Sequence, residues 1–325
     1  MPINYLRESF PRDRVQPRDV THQLVMTDYE YAAPHRRVFT DDLIPFCTPW
    51  RAIPWLEAIC GCDVLYADGS LRPDHYLRTA EDLTSLKLPA GAAWLDRMLQ
   101  LTRQQVAAAP DDCFVSPSIL RGPADVIAAM RGQVEFFTDV VDSPQCLRRA
   151  ADTIADLFIT VLRQHFDIVP PKLGGYAHSY GYWSPHPTVV IQSDAMGMCG
   201  PKVYRDLFWE PDARIVEALG RGVLYHLHST GCQHYRDVLD LPGGLPGVEL
   251  SIESTGPSLV DLVPVLRAIL ERSRLVLFVE HHFDQLPHVL RQIPHDGLFV
   301  IIPDTHIDSD KAFNGFIAAN WPKAV

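Results

Sequence analysis

Apolar residues recur with a helical period over Ala92–Ala109, Pro144–Phe166, Pro201–Leu219 and Ser258–Arg272, each setting an apolar stripe against a polar face. Around them lie short apolar runs: Leu43–Thr48, Asp63–Tyr66, Cys113–Ser116, Leu173–His178, Thr188–Gln192, Gly222–His226, Gly247–Ile252, Arg274–Val279 and Gly297–Ile302. Runs of this kind predict buried strands, and strands that alternate with amphipathic helices pair in parallel through crossovers. About eight such units describe a (β/α)8 TIM barrel of roughly 250 residues with extensions. The expectation is therefore one α/β domain over residues 1–325, a (β/α)8 TIM barrel with residues 1–40 as an N-terminal extension. The runs outnumber eight, so one of them belongs outside the barrel. An open doubly wound sheet is the alternative, but no glycine-rich phosphate turn follows an early strand.

Composition narrows the classes. A hydrophobic fraction of 47% with 21% charged residues supports a sizeable core. A net charge of -11 leaves no basic stripe to neutralise phosphates, which argues against a nucleic-acid surface. The N-terminal stretch has no apolar leader, and no apolar run approaches the roughly 20 residues that span a bilayer. A cytoplasmic enzyme acting on a small molecule is expected, with a homodimer as one possible assembly. The 7 cysteines are odd in number and scattered, a pattern of reduced thiols rather than a disulfide framework. Cys60 and Cys62 read as small packing residues at a helix end.

In a barrel, the residues at strand C-termini and just beyond them build the active site. Several runs here end in His, Asp, Glu and aromatic residues. His226 and His228 are two apart, so on an extended strand they share a face, and a pair of imidazoles suits zinc. The same spacing also suits two imidazoles that hydrogen-bond a substrate carboxylate or a neighbouring strand. Glu249, Ser251 and Glu253 alternate on the next run; Glu253, at its end, is the better site candidate, with Glu249 deeper or nearer the strand start. An ion pair with Arg or Lys is the competing role for Glu253. Tyr176, His178, Tyr180 and Tyr182 alternate ahead of Trp183 and suit the wall of a pocket, or an aromatic cap over the barrel. Gln192 and Asp194 share a face at the end of another run, where they either bind substrate and move protons or simply fix the loop. Glu280, His281, His282, Asp304 and His306 follow the last two runs and either complete a metal site or stay solvated. Cys232 either ligates as a thiolate or packs at a helix start.

The stretch from Trp183 to Leu298 resembles the uroporphyrinogen decarboxylase superfamily. The resemblance rests on the text from Trp183, then Gln192 to Asp194, Cys199 to Tyr204, Trp209 to Pro211, Tyr225 to Ser229 and Pro294 to Leu298. Looser similarity runs from about Leu43 to the C-terminus. The porphyrinogen decarboxylases carry an arginine-rich motif after the first strand; here that region runs Cys47 to Trp55, and only Arg51 stands in for one of its arginines. The zinc methyltransferases of the superfamily hold their metal with a His-x-Cys strand end and a later Cys, with a Glu in the methionine synthase group. Here His226 matches the His, His228 takes the Cys position, Glu253 matches the Glu, and Asp296 replaces the late Cys. The resemblance thus implies zinc on His226, His228 and Glu253, with Asp296 as a further candidate, in a site harder than a thiolate one.

The reading that follows is a zinc-assisted methyltransferase or demethylase component acting on a small methylated substrate. Its metal ligands would be His226, His228 and Glu253, its catalytic residues Asp194, His178 and Arg51. Tyr176, Tyr180, Tyr182, Trp183 and Gln192 would bind substrate, and a corrinoid acceptor would arrive on a partner protein. The alternative is a metal-free decarboxylase or related lyase, in which Arg51 binds a carboxylate and Asp194 and His226 move protons.

Overall fold

The computed structural model describes residues 10, 13–23, 42–48, 53–67, 70–117, 120–178, 180–243, 245, 247–303, 305–307 and 309–321. Arg51 and Asp304 lie outside these residues. The strands in chain order are β1 (Arg14–Val15), β2 (Phe46–Cys47), β3 (Asp63–Ala67), β4 (Ser70–Asp74), β5 (Phe114–Val115), β6 (Leu120–Arg121) and β7 (Tyr176–Ala177). There follow β8 (Trp183–Ser184), β9 (Val189–Gln192), β10 (Val223–His228), β11 (Gly247–Ser251), β12 (Arg274–Phe278) and β13 (Leu298–Ile301).

Six of them form one sheet in the order β13-β12-β11-β10-β9-β6, with every pair parallel. From β9 onward neighbours in the sheet are neighbours in the chain. The crossovers are Pro201–Leu207 with Trp209–Leu219, then Tyr235–Leu239, Val263–Arg272 and Leu286–Leu290. The fold is thus mixed α/β around a parallel sheet. Among the described residues the sheet does not close into a barrel. The short parallel pair β2–β5 stands apart from it. Pro45, just before β2, has no amide hydrogen to donate and joins the ladder only through its carbonyl, which accepts from Phe114 N at 2.8 Å.

Two of the expected runs pair antiparallel outside this sheet: Asp63–Tyr66 forms β3 with β1 and β4, and Leu173–His178 supplies β7, paired with β8. Part of the N-terminal extension is therefore sheet. The helix expected over Pro201–Leu219 is two helices that part at Phe208. Pro211 has no amide hydrogen to offer and its ring opposes the carbonyl four residues back. The helix expected from Ser258 starts at Val263, with Pro264 in its first turn, where a missing amide hydrogen costs nothing. None of the seven cysteines is in a disulfide.

Alternation divides the sheet into two faces. Val189, Ile191, Val223, Tyr225, Leu227, Val248 and Leu250 point into the main core with the helices. The residues between them point the other way: Val190, Leu224 and Val276 form a second cluster with Tyr180 and Tyr182 from the β7–β8 hairpin. The functional side chains belong to this second face. No helix among the described residues is long and apolar enough to cross a membrane.

A polar cluster anchors the first face. Asp212, fully buried, accepts hydrogen bonds from Tyr204 at 3.0 Å and Tyr225 at 2.7 Å through one oxygen. Burial pushes its carboxyl up to about 7, although the two phenols act to lower it. Asp212→Ala removes the shared acceptor and should destabilise the protein by about 2–4 kcal/mol, measured by urea unfolding. A carboxyl whose pKa rises on folding holds more proton in the folded chain, so its contribution is complete below the unfolded value of 3.8 and is lost as pH rises through about 7. Wild-type stability relative to Asp212→Asn should therefore fall as pH rises from about 4 to about 7 and level off above that.

Candidate metal centre

The parallel register of β10 and β11 sets His226 beside Glu249 and His228 beside Ser251. All four side chains face away from the helices. Glu249 has no exposed surface. One of its oxygens contacts His226 Nδ1 and accepts from Tyr180 Oη at 3.2 Å; the other accepts from Ser251 Oγ at 2.8 Å. Burial, followed by the charge of Glu249, raises the Tyr180 phenol well above its ordinary value, so it stays protonated and donates.

This network decides what His226 presents. A carboxylate oxygen accepts, so one proton sits on Nδ1, and whenever the ring is neutral its lone pair is on Nε2. That atom lies 3.0 Å from His228 Nε2, with the two rings at 87°. On its far side, His228 Nδ1 lies 3.1 Å from Glu253 Oε1, a charge contact rather than a well-aligned hydrogen bond. Both imidazoles thus have a carboxylate behind Nδ1 and aim Nε2 at the same point.

Asp194 completes the convergence. Its Oδ1 lies 3.7 Å from His226 Nε2 and 3.4 Å from His228 Nε2. The three donor atoms lie within 4.8 Å of one another. A point about 2.0 Å from all three exists near the middle of this triangle, the bond length of zinc to nitrogen or oxygen. Asp194 opens the 3-10 turn Asp194–Met198, and the turn is held by Asp125, a buried carboxylate that accepts from Asp194 N at 3.0 Å and Ala195 N at 2.7 Å. Burial, then the charge of Asp194, pushes Asp125 up to about 7.

The charges are mutually adjusted. Burial acts to raise the Asp194 carboxyl, but its bond to His228 and the charge of both imidazoles hold it below the ordinary value. Burial acts to lower His226, yet Glu249 and Asp194 more than offset it and the ring ends raised. The bond to Asp194 is the first cause lifting His228 to about 9. Each imidazole thus holds its proton more tightly than a free one, and both face one focus.

A cavity of about 340 Å³ adjoins this focus. Its apolar wall is Met196, Tyr204, Tyr225 and Leu227, and Ser193 and His234 add polar atoms. Asp194, His226, His228, Thr230 and Glu253, with Gly197 and Gly231, complete the wall.

The sequence-derived candidates fall out as follows. His226 and His228 come together, and the carboxylate that joins their Nε2 atoms is Asp194 rather than Glu253. Glu253 stands behind His228, held by Thr230 and by its own amide on Ser229 Oγ at 2.9 Å. Gln192 donates to Asp194. Tyr176, His178, Tyr180, Tyr182 and Trp183 do not line the cavity. His178 is fully buried, stacked on Tyr182 with centroids 5.4 Å apart, and burial lowers its pKa to about 3. Tyr182 shares a hydrogen bond with Thr188 at 3.0 Å, Tyr176 packs against Phe166, and Trp183 is 44% exposed.

Asp296 precedes β13 and so lies at the opposite edge of the sheet from the strand ends that carry the site. His306 bonds the Glu280 carbonyl at 2.8 Å and stacks on Phe283, and burial raises the Cys232 thiol. Glu249 and Asp125 support this cluster, and the sequence reading sets the first aside and passes over the second. A Glu inside the apolar run Gly247–Ile252 was the available signal; for Asp125, on a buried helix face far from Asp194 in sequence, there was none.

Neither a family model nor a curated protein matches the chain. Among solved structures, a methyltransferase from Methanosarcina mazei superposes with a TM-score of 0.64 at 13% identity, covering 98% of this chain and 90% of that one. At that identity the likeness is one of fold, and it extends over nearly the whole of both chains.

Proposed function

We propose that this chain is a methyltransferase-type enzyme of the uroporphyrinogen decarboxylase superfamily, a (β/α)8 barrel whose single metal ion is zinc. The observation that carries the reading is the convergence of His226 Nε2, His228 Nε2 and Asp194 Oδ1 on one point at the mouth of a cavity. The fold shared with a methyltransferase supports the reaction class. The donor set fits the ion: two neutral imidazoles and a carboxylate give three protein ligands and leave a position open. Bound there, zinc supplies Lewis acidity to an oxygen or sulfur of the substrate.

The chain's own residues do the remaining work. Glu249 fixes the tautomer and the plane of His226, as an outer carboxylate does for a metal-binding histidine. Glu253 holds His228 from behind, and Asp125 holds the turn that carries Asp194. Met196, Leu227 and the two tyrosines exclude water from one side of the substrate. A cavity of about 340 Å³ is near the lower end for ligand sites, which fits a small methylated compound and not a tetrapyrrole. A corrinoid on a partner protein is the methyl acceptor that this reading implies. The carboxy-lyase alternative relies on Arg51, and no lysine or arginine is found on the cavity wall among the described residues.

Protein purified without added metal should contain one zinc per chain by elemental analysis. His226→Ala, His228→Ala and Asp194→Ala should each lose it, while Glu253→Ala keeps most of it. Zinc retained by Asp194→Ala but lost from Glu253→Ala would show that the carboxylate has been misassigned, and wild-type protein that binds no metal would end the proposal. Glu249→Gln preserves shape but removes the anion behind His226. It should weaken zinc affinity by about 10–100-fold in a chelator competition while leaving the circular dichroism spectrum unchanged.

A further inference from the structure

The ladder that joins β9 to β10 ends at Gln192 and His226. Asp194 and His228 each lie two residues further on, so the ladder itself does not set the distance between them. Gln192 and Asp125 hold Asp194 from its own strand and from the helix Pro123–Arg131. Neither belongs to β10, the strand that carries the imidazoles. Donors that share a metal work only when held within about 0.5 Å of their places, so a contact that refers Asp194 to β10 is still needed.

The 3-10 turn Ser229–His234 follows His228 directly and supplies that contact. His234 Nε2 lies 2.7 Å from the Met196 carbonyl oxygen. A carbonyl only accepts, so the ring donates from Nε2. Gln233 Nε2, with two hydrogens, donates to the carbonyls of Gly197 at 2.9 Å and Cys199 at 3.3 Å. The two Nε2 atoms lie 3.3 Å apart, and since both are donors this is a contact and not a bond. Two adjacent side chains thus hold the carbonyls of the turn Asp194–Met198 and of the residue after it. The turns also meet backbone to backbone: a Cβ on Gly231 would stand 3.2 Å from Gly197 Cα, and the neighbour would have to give way. The same turn grips the second carboxylate, because Ser229 Oγ accepts from Glu253 N at 2.9 Å and Thr230 donates to the Glu253 side chain.

We infer that Gln233 and His234 are positioning residues for the metal site: they hold the carbonyl side of the turn that carries Asp194 and so set where Oδ1 stands before the imidazoles. Asp125 holds the amide side of that turn, and the two grips oppose each other. The inference rests on reading Asp194 as the third metal donor. The N–H groups carry the effect, not the bulk of the side chains, and this separates positioning from packing. His234→Phe keeps a ring against Tyr204, whose centroid is 5.4 Å away, but loses the donor. His234→Gln loses the ring and keeps an amide N–H near the place of Nε2. Gln233 is exposed, so Gln233→Ala removes its hydrogen bonds without opening the core.

Each full-length chain is stripped with a chelator and reloaded, zinc affinity is read by chelator competition, and the absorption bands of bound cobalt(II) report the geometry around the ion. His234→Phe and Gln233→Ala should each weaken zinc binding by about 10–100-fold and shift the cobalt bands. His234→Gln should recover most of the affinity and the wild-type bands. If His234→Phe does not fold, Gln233→Ala decides. Unchanged affinity in the variants that lack the donors, or affinity kept by His234→Phe and lost by His234→Gln, would overturn the inference. Amide hydrogen exchange on the stripped chain makes the test independent of metal. The Asp194 and Ala195 amides should exchange about tenfold faster in Gln233→Ala, with those of the helix Pro144–Ile168 unchanged. Wild-type protein that takes up neither zinc nor cobalt would sink the metal reading instead, and equal exchange in the variant and the wild type would show that the grip on the turn is absent as well.

Discussion

Glu249 is a carboxylate with no exposed surface in the middle of a parallel sheet, and the candidate site is assembled over it. An ionised carboxylate in such a place is costly unless its oxygens are occupied. Here they accept from Tyr180 and Ser251 and contact the His226 ring. The same contacts that make the burial tolerable also settle the tautomer of His226. They aim Nε2 away from the sheet and towards His228 and Asp194. The hairpin that brings Tyr180 is thereby part of the site's support, although its aromatic residues do not touch the cavity.

Two further carboxylates repeat this arrangement at lower depth. Glu253 stands behind His228 and Asp125 stands behind Asp194. In each case the outer group fixes a donor rather than donating itself, and this separation leaves three atoms free to face one point. The acidic excess around the imidazoles also explains why His226 and His228 both titrate above their ordinary range. Two raised imidazoles 3.0 Å apart, with a carboxylate facing both, bring together three donor atoms of the kind a divalent cation accepts once the rings release their protons.

The sheet allows this polar layer because its two faces have different duties. Tyr225 and Leu227 point into the helix-covered core, and His226 and His228, interleaved with them, point into the other face. The Asp212 cluster belongs to the first face and ties the helix Trp209–Leu219 to β10 through Tyr225. Tyr204 and Tyr225 thus share a carboxylate on one side and wall the cavity on the other. Stability of the core and shape of the cavity are in this way carried by the same two rings.

Strand and helix periods were enough to read the α/β architecture, the parallel pairing and the shared face of His226 and His228, because these are local consequences of backbone repeat. Period alone did not reveal that Asp63–Tyr66 and the end of Leu173–His178 pair antiparallel outside the main sheet. The identity of the third donor was not legible either. Asp194 and Glu253 both follow apolar runs, and it is the hydrogen bonds from the backbone of Asp194 and Ala195 to Asp125, 69 and 70 residues away in the chain, that hold the turn carrying the former in front of the imidazoles. The aromatic hairpin read as a pocket wall for the same reason: alternation shows that residues share a face, while what fills the space before that face is decided by chain packing from elsewhere. Residue type and local repeat thus determined which chemistry was available, and long-range packing decided which atoms meet.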